Sequence, residues 1–194
     1  MPPPSSPSPP EVTPVNLTDQ FITAIAFALE HHRHQRRKLP DVPYASHLLA
    51  VAAIVIEDGG SEAAAIAGLL HDTIEDCGVT AEELRSQFGA RVADIVVACT
   101  ECGDTWINRK RYYLDRIAEL DPDGLRVSLA DKLHNLRSLC HHLDRDGHRV
   151  WQYFGAPPAQ IKQFYSDALE IYRQTFTSIA FQEFERYVIQ LGSV

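Results

Sequence analysis

Residues 66–80 read IAGLLHDTIEDCGVT, an apolar run that leads directly into His71, Asp72, Glu75 and Asp76. Charges carried by an otherwise buried helix are costly unless a cation, a proton partner or a functional site compensates them. The stretch therefore limits the folds open to this chain, because whatever packs around it must bring a compensating group to the same place. Residues four apart share a helix face, so the pattern puts His71 near Glu75 and Asp72 near Asp76.

The rest of the chain supplies helices to pack there. Phe21, Ile22, Ile25, Ala28, Leu29 and His32 recur at three and four and make one apolar stripe. Pro40 and Pro43 break the pattern. A second helix is expected from about Ser46 to Glu57, and Ser61 caps a third, SEAAAIAGLLHD. Thr80 and Glu83 form a capping box opening a short helix that stops at Gly89. Further helices are expected near residues 90–99, 107–120, 125–142, 159–176 and 179–191. No run of four to eight residues alternates between turns as a strand does, so the reading is all-α. Residues 1–14, rich in Pro and Ser, read as a disordered tail, and residues 15–194 as a single domain.

Composition excludes several classes. The formal charge of −8 is the wrong sign for broad nucleic-acid binding. No stretch approaches the roughly 20 apolar residues of a membrane span, and the N-terminus lacks the basic start and apolar run of a signal peptide, which points to the cytoplasm. Cys99 and Cys102 form a CxxC with no second knuckle, so the four cysteines read as buried free thiols rather than a zinc ribbon. Against the acidic background, Arg33, Arg36, Arg37 and Lys38 cluster within six residues. That cluster is either a solvated helix end or a local phosphate clamp.

Two more stretches carry chemistry. Through SLADKLHNLRSL and the turn before it, Leu125, Leu129, Leu133 and Leu136 make a buried stripe, while Asp131, Asn135 and Ser138 fall on a different one that could line a cleft. In PYASH, His47 opens the second helix just after the basic loop. His47, His71, Asp72 and Asp131 together make a mixed nitrogen and oxygen set suited to a divalent transition metal, with room for water and phosphate. Each also has a structural alternative: His47 a cap or surface histidine, His71 a satisfied core histidine, Asp72 a helix-end carboxylate, Asp131 half of an ion pair with Lys132 or Arg137.

His47, the His71–Asp72 pair and Asp131 resemble the H…HD…D signature of the HD phosphohydrolase superfamily. More narrowly, RRKLPDVPYASH, LLHDTIEDCGVT, FGARVADIVVACT and LADKLHNLRSL resemble, in order and spacing, the hydrolase domain of the RelA/SpoT alarmone enzymes and their small stand-alone relatives. The resemblance runs from about Phe27 to Leu139. It implies an HD-domain helical bundle whose metal site, between helices, holds manganese through His47, His71, Asp72 and Asp131. It further implies that Glu75 and Asp76 activate or orient the attacking water, that Arg37 and Lys38 meet the nucleotide phosphates, and that Asn135 and Ser138 face the substrate. Two departures stand out: Leu48 follows His47 where the family often has Pro, and a variable segment carries Trp106, Tyr112 and Tyr113.

The expected activity is removal of the 3′-pyrophosphate of ppGpp-like guanosine nucleotides, with a small-molecule nucleotide as partner and no nucleic acid or membrane. The alternatives are an HD phosphatase acting on another nucleotide or NADPH, and a non-catalytic nucleotide-binding module. The chain carries no segment large enough for a synthetase domain.

Overall fold

A computed structural model describes residues 15–194; the expectation of a disordered tail over residues 1–14 lies outside the described residues. The helices are α1 (Asp19–His31), α2 (Ala45–Glu57), α3 (Glu62–Leu70), α4 (Thr73–Cys77), α5 (Ala81–Phe88) and α6 (Ala90–Cys99). They continue as α7 (Trp106–Ile117), α8 (Pro122–Asp146), a 3-10 segment (Gly147–Tyr153), α9 (Pro158–Arg173) and α10 (Ile179–Gly192). Among the described residues there is no strand, only an isolated antiparallel bridge between Arg36 and Pro43. No described helix is long and apolar enough to cross a membrane.

The helix starts are written into the sequence. Ser61, Thr80, Thr105, Asp121 and Ser178 each accept a hydrogen bond from a backbone N–H in the first turn of the helix that follows, satisfying a donor the helix cannot. Gly78, at φ +71°, ends α4 in the left-handed region that a side chain disfavours.

The long helix α8 is the axis of the bundle, contacted by α2, α3, α6, α7, α9 and α10. Its Leu125, Leu129, Leu133 and Leu136 are all buried, as their spacing predicts. Truncating such a side chain to Ala costs about 2–5 kcal/mol. Beside the leucines, Ser128 is buried and shares hydrogen bonds with Tyr113 (2.5 Å) and Tyr172 (2.6 Å).

Three expectations are corrected. In α1 the buried face is Ala24 and Ala28, with Phe21 and Ile25 beside them, whereas Ile22 is 65% exposed and Leu29 39%. Small alanines let α1 approach α3 closely, and that contact rotates the helix away from its bulkiest stripe. The third helix ends at Leu70, and α4 begins after a break at His71 and Asp72. The four cysteines are free, but Cys140 alone is fully buried and Cys102 is exposed.

Candidate metal centre and phosphate cleft

Three segments meet at one point. His47 lies in the first turn of α2, His71 and Asp72 occupy the break between α3 and α4, and Asp131 sits in the middle of α8. Asp131 Oδ1 is 3.2 Å from His47 Nε2 and 3.7 Å from His71 Nε2. Asp72 Oδ2 is 2.8 Å from His71 Nε2 and 3.7 Å from His47 Nε2. One ligand atom from each of His47, His71 and Asp131 lies within 4.8 Å of the others, and all three residues are buried.

The donor set fits a divalent metal ion. Atoms bonded at about 2.0–2.2 Å to one ion stand about 3–3.5 Å apart, which is close to the spacing here. His71 Nδ1 donates to the Gly68 carbonyl at 2.9 Å, leaving Nε2 to carry the lone pair of the neutral ring. That Nε2 is buried without a hydrogen-bond partner, its approach to Asp72 being misaligned for one. Burial works against charge on His71, but Asp72 and Asp131 outweigh it and draw its pKa well up. Burial likewise opposes ionisation of Asp131 and Asp72, yet Lys132 for the first and His71 for the second hold them below the usual carboxylate range. The centre therefore favours positive charge, which a divalent ion would supply in place of a proton.

Asp131 also meets one of its structural alternatives: its Oδ2 is 2.8 Å from Lys132 Nζ. Arg137 instead pairs with Glu183 at 3.0 Å. The carboxylate thus serves a buried ion pair and the cluster at once.

Glu75 and Asp76 lie on α4, beside the cluster and exposed at the residue level. Because α3 breaks before them, they do not continue its face. Asp76 keeps the expected one-turn relation to Asp72, its N–H donating to the Asp72 carbonyl at 2.9 Å. Its side chain accepts from Gln35 Nε2 at 2.8 Å. Glu75 accepts the backbone N–H of Glu101 at 3.2 Å, and burial together with the Glu101 carboxylate raises its pKa.

The basic cluster divides. Arg33 pairs with Glu30 and Arg36 with Asp41 at the surface, the solvated alternative. Arg37 turns inward, because the chain folds back on itself: Arg37 N–H donates to Val42 O and Tyr44 N–H to Gln35 O, both at 2.9 Å. Its guanidinium donates to Asn135 Oδ1 at 3.1 Å and approaches His134 Nδ1 at 3.3 Å. Asn135 in turn donates to Asp131 Oδ1 at 2.5 Å, and Ser138 Oγ donates to the Leu39 carbonyl at 2.9 Å, tying the loop to α8. Lys38, Asn135 and Ser138 share the lining of a cavity of about 290 Å³ with Trp106, Arg109 and Tyr153. Trp106 thus borders the cleft, Tyr113 is core, and Tyr112 is 39% exposed.

Three groups at the centre escape a sequence reading. Tyr44, the aromatic of the PY pair, donates to Asp72 Oδ2 at 2.6 Å; burial and Asp72 push its pKa far up, so it stays a donor. His134 meets His47, Nδ1 to Nδ1, at 2.8 Å, and burial with the neighbouring His47 and Arg37 pushes its pKa down to about 3. Glu101 approaches Lys132 at 3.9 Å and pairs with Lys110 while its amide holds Glu75. The LHN triplet was a signal for His134; nothing local marked Glu101.

A helical bundle that gathers two imidazoles and two carboxylates from three segments defines the class, an all-α protein with a candidate metal centre between its helices. The chain belongs to the HD-domain family, whose profile matches residues 24–161. It is similar to guanosine-3′,5′-bis(diphosphate) 3′-pyrophosphohydrolase MESH1 of Mus musculus, 38% identical over 141 residues that cover 70% of this chain and 79% of that protein. The Xenopus tropicalis protein of the same name is 40% identical over 140 residues, 69% of this chain and 78% of its own. A solved structure described as a metazoan ortholog of SpoT that hydrolyzes ppGpp and plays a role in starvation responses superposes with a TM-score of 0.74. It is 26% identical, over 93% of this chain and 99% of that one.

Proposed function

We propose that the protein is a metal-dependent hydrolase that removes the 3′-pyrophosphate of ppGpp-like guanosine nucleotides. The observation that carries this reading is the convergence of His47, His71, Asp72 and Asp131 beside a loop that aims Arg37 at the same cleft. Those four residues hold the ion, manganese in our reading. When bound, it supplies Lewis acidity to the phosphoryl group and to the attacking water.

The chain's own groups do the rest. Glu75, with its raised pKa, takes the proton from the water, and Asp76, fixed by Gln35, helps orient it. The water attacks the phosphorus joined to O3′, the P–O3′ bond breaks with O3′ as the leaving group, the proton taken by Glu75 passes to O3′, and pyrophosphate and the 3′-hydroxyl nucleotide are released. Arg37 has five donor N–H groups, of which the Leu39 carbonyl, His134 and Asn135 occupy three, so two remain for a phosphate. Arg37 lines a neighbouring cavity of about 350 Å³ with His134 and Ser138, Lys38 adds a second cation on the wall of the 290 Å³ cavity, and Asn135 and Ser138 face the nucleoside, which Trp106 and Tyr153 flank.

Product analysis tests this. Manganese-loaded protein incubated with ppGpp should release pyrophosphate and leave GDP. Release of orthophosphate alone from other nucleotides or from NADPH would replace the reading with a broader phosphatase, and ppGpp bound but unchanged would make the protein a nucleotide-binding module.

A further inference from the structure

The two histidines of the cluster fix their ring protons by different means. His71 uses a backbone carbonyl, that of Gly68. His47 has instead a second imidazole, with His134 Nδ1 2.8 Å from its own Nδ1. A contact that short requires one nitrogen to donate and the other to accept.

Arg37 decides which. Its Nη1 reaches the same His134 Nδ1 at 3.3 Å, and a guanidinium donates but never accepts. His134 Nδ1 is therefore the acceptor, its one lone pair shared between a short bond from His47 and a longer one from Arg37, and the proton between the two rings belongs to His47. A neutral His47 protonated at Nδ1 carries its lone pair at Nε2, the atom that faces Asp131 at 3.2 Å and Asp72 at 3.7 Å.

We propose that His134 is a positioning residue that holds His47 in the tautomer able to bind a metal ion and, by accepting from Arg37 as well, ties the anion-binding loop to the metal centre. The inference rests on the metal site proposed above. A parallel link runs from Arg37 through Asn135 to Asp131, so Arg37 keeps a partner on α8 when His134 is lost. Replacing His134 should accordingly weaken metal binding more than substrate binding.

The test compares His134→Leu, which removes the acceptor, with His134→Asn, whose Oδ1 stands near the lost Nδ1 and restores it. Binding of manganese(II) alone is read from the signal of the free ion by electron paramagnetic resonance. Ring-nitrogen NMR of metal-free protein at about pH 8 reads the His47 tautomer. Wild type should show the proton on Nδ1. His134→Leu should lose that signature and bind manganese about 10–100-fold more weakly, with a smaller change in the KM for ppGpp at saturating metal, and His134→Asn should recover most of the affinity.

Equal manganese affinity in wild type and His134→Leu, or a wild-type His47 protonated on Nε2, overturns the proposal. The manganese affinity and the His47 tautomer are read without turnover, so a failure of the hydrolase reading is told apart from a failure of this one. A fold lost in His134→Leu leaves the wild-type tautomer and His134→Asn to decide.

Discussion

Asp131 faces two ways: one carboxylate oxygen stands 2.8 Å from Lys132 Nζ and the other 3.2 Å from His47 Nε2. Lys132 is itself buried, with its ammonium 4.1 Å from the Tyr113 ring centre. The pair lets a carboxylate of the candidate metal centre sit in an apolar bundle.

Lys132→Met should therefore destabilise metal-free protein by about 3–5 kcal/mol, the usual effect of stripping one partner from a buried pair. Manganese should return part of it, about 2.7 kcal/mol at a hundredfold excess over Kd. Denaturant unfolding with and without manganese measures both, and an unaltered metal-free midpoint would contradict the role given to Lys132.

Asp131→Ala and Asp72→Ala should each remove bound metal and activity together, as read by elemental analysis of dialysed protein alongside turnover. Full metal content in either variant would take that carboxylate out of the ligand set.

Glu75→Gln should keep the metal and lower kcat by about 10²–10⁴-fold. The pH profile carries a sharper expectation. A general base works when ionised, so activity falls as pH drops through its pKa, and the raised pKa of Glu75 places that fall above the ordinary glutamate range. Glu101→Gln removes the neighbouring charge but leaves the backbone N–H that holds Glu75, so the pKa drops and activity should persist to lower pH. A limb that stays in place in Glu101→Gln would show that another group sets it.

Arg37→Ala should raise the KM for ppGpp about 10–100-fold, the equivalent of about 1.5–3 kcal/mol for a hydrogen bond to a charged group, with kcat changed only a few-fold. Steady-state kinetics at saturating manganese decide it, and an unchanged KM would return Arg37 to a structural role.

The parts legible in the sequence are those with a local cause. Caps such as Ser61 and Thr80 bond to the next turn, and the leucines of α8 repeat with the helix period, so those elements follow from neighbours a few residues away. The four proposed ligands stood out because charges interrupt apolar helices. What stayed hidden depends on distant partners. The α1 stripe misled at Ile22 and Leu29 because the close contact with α3 selects the alanine face. The break at His71 was invisible because HDTIED reads as helix throughout. The LHN triplet marks His134, but the partners that Tyr44 and His134 reach lie 28 and 87 positions away, and no local pattern encodes that pairing.

The most direct test is anomalous diffraction from a crystal grown with manganese. One peak within bonding distance of His47 Nε2, His71 Nε2 and carboxylate oxygens of Asp72 and Asp131 is the expected result. A peak elsewhere, or none at that point, would contradict the shared metal centre on which the hydrolase reading stands.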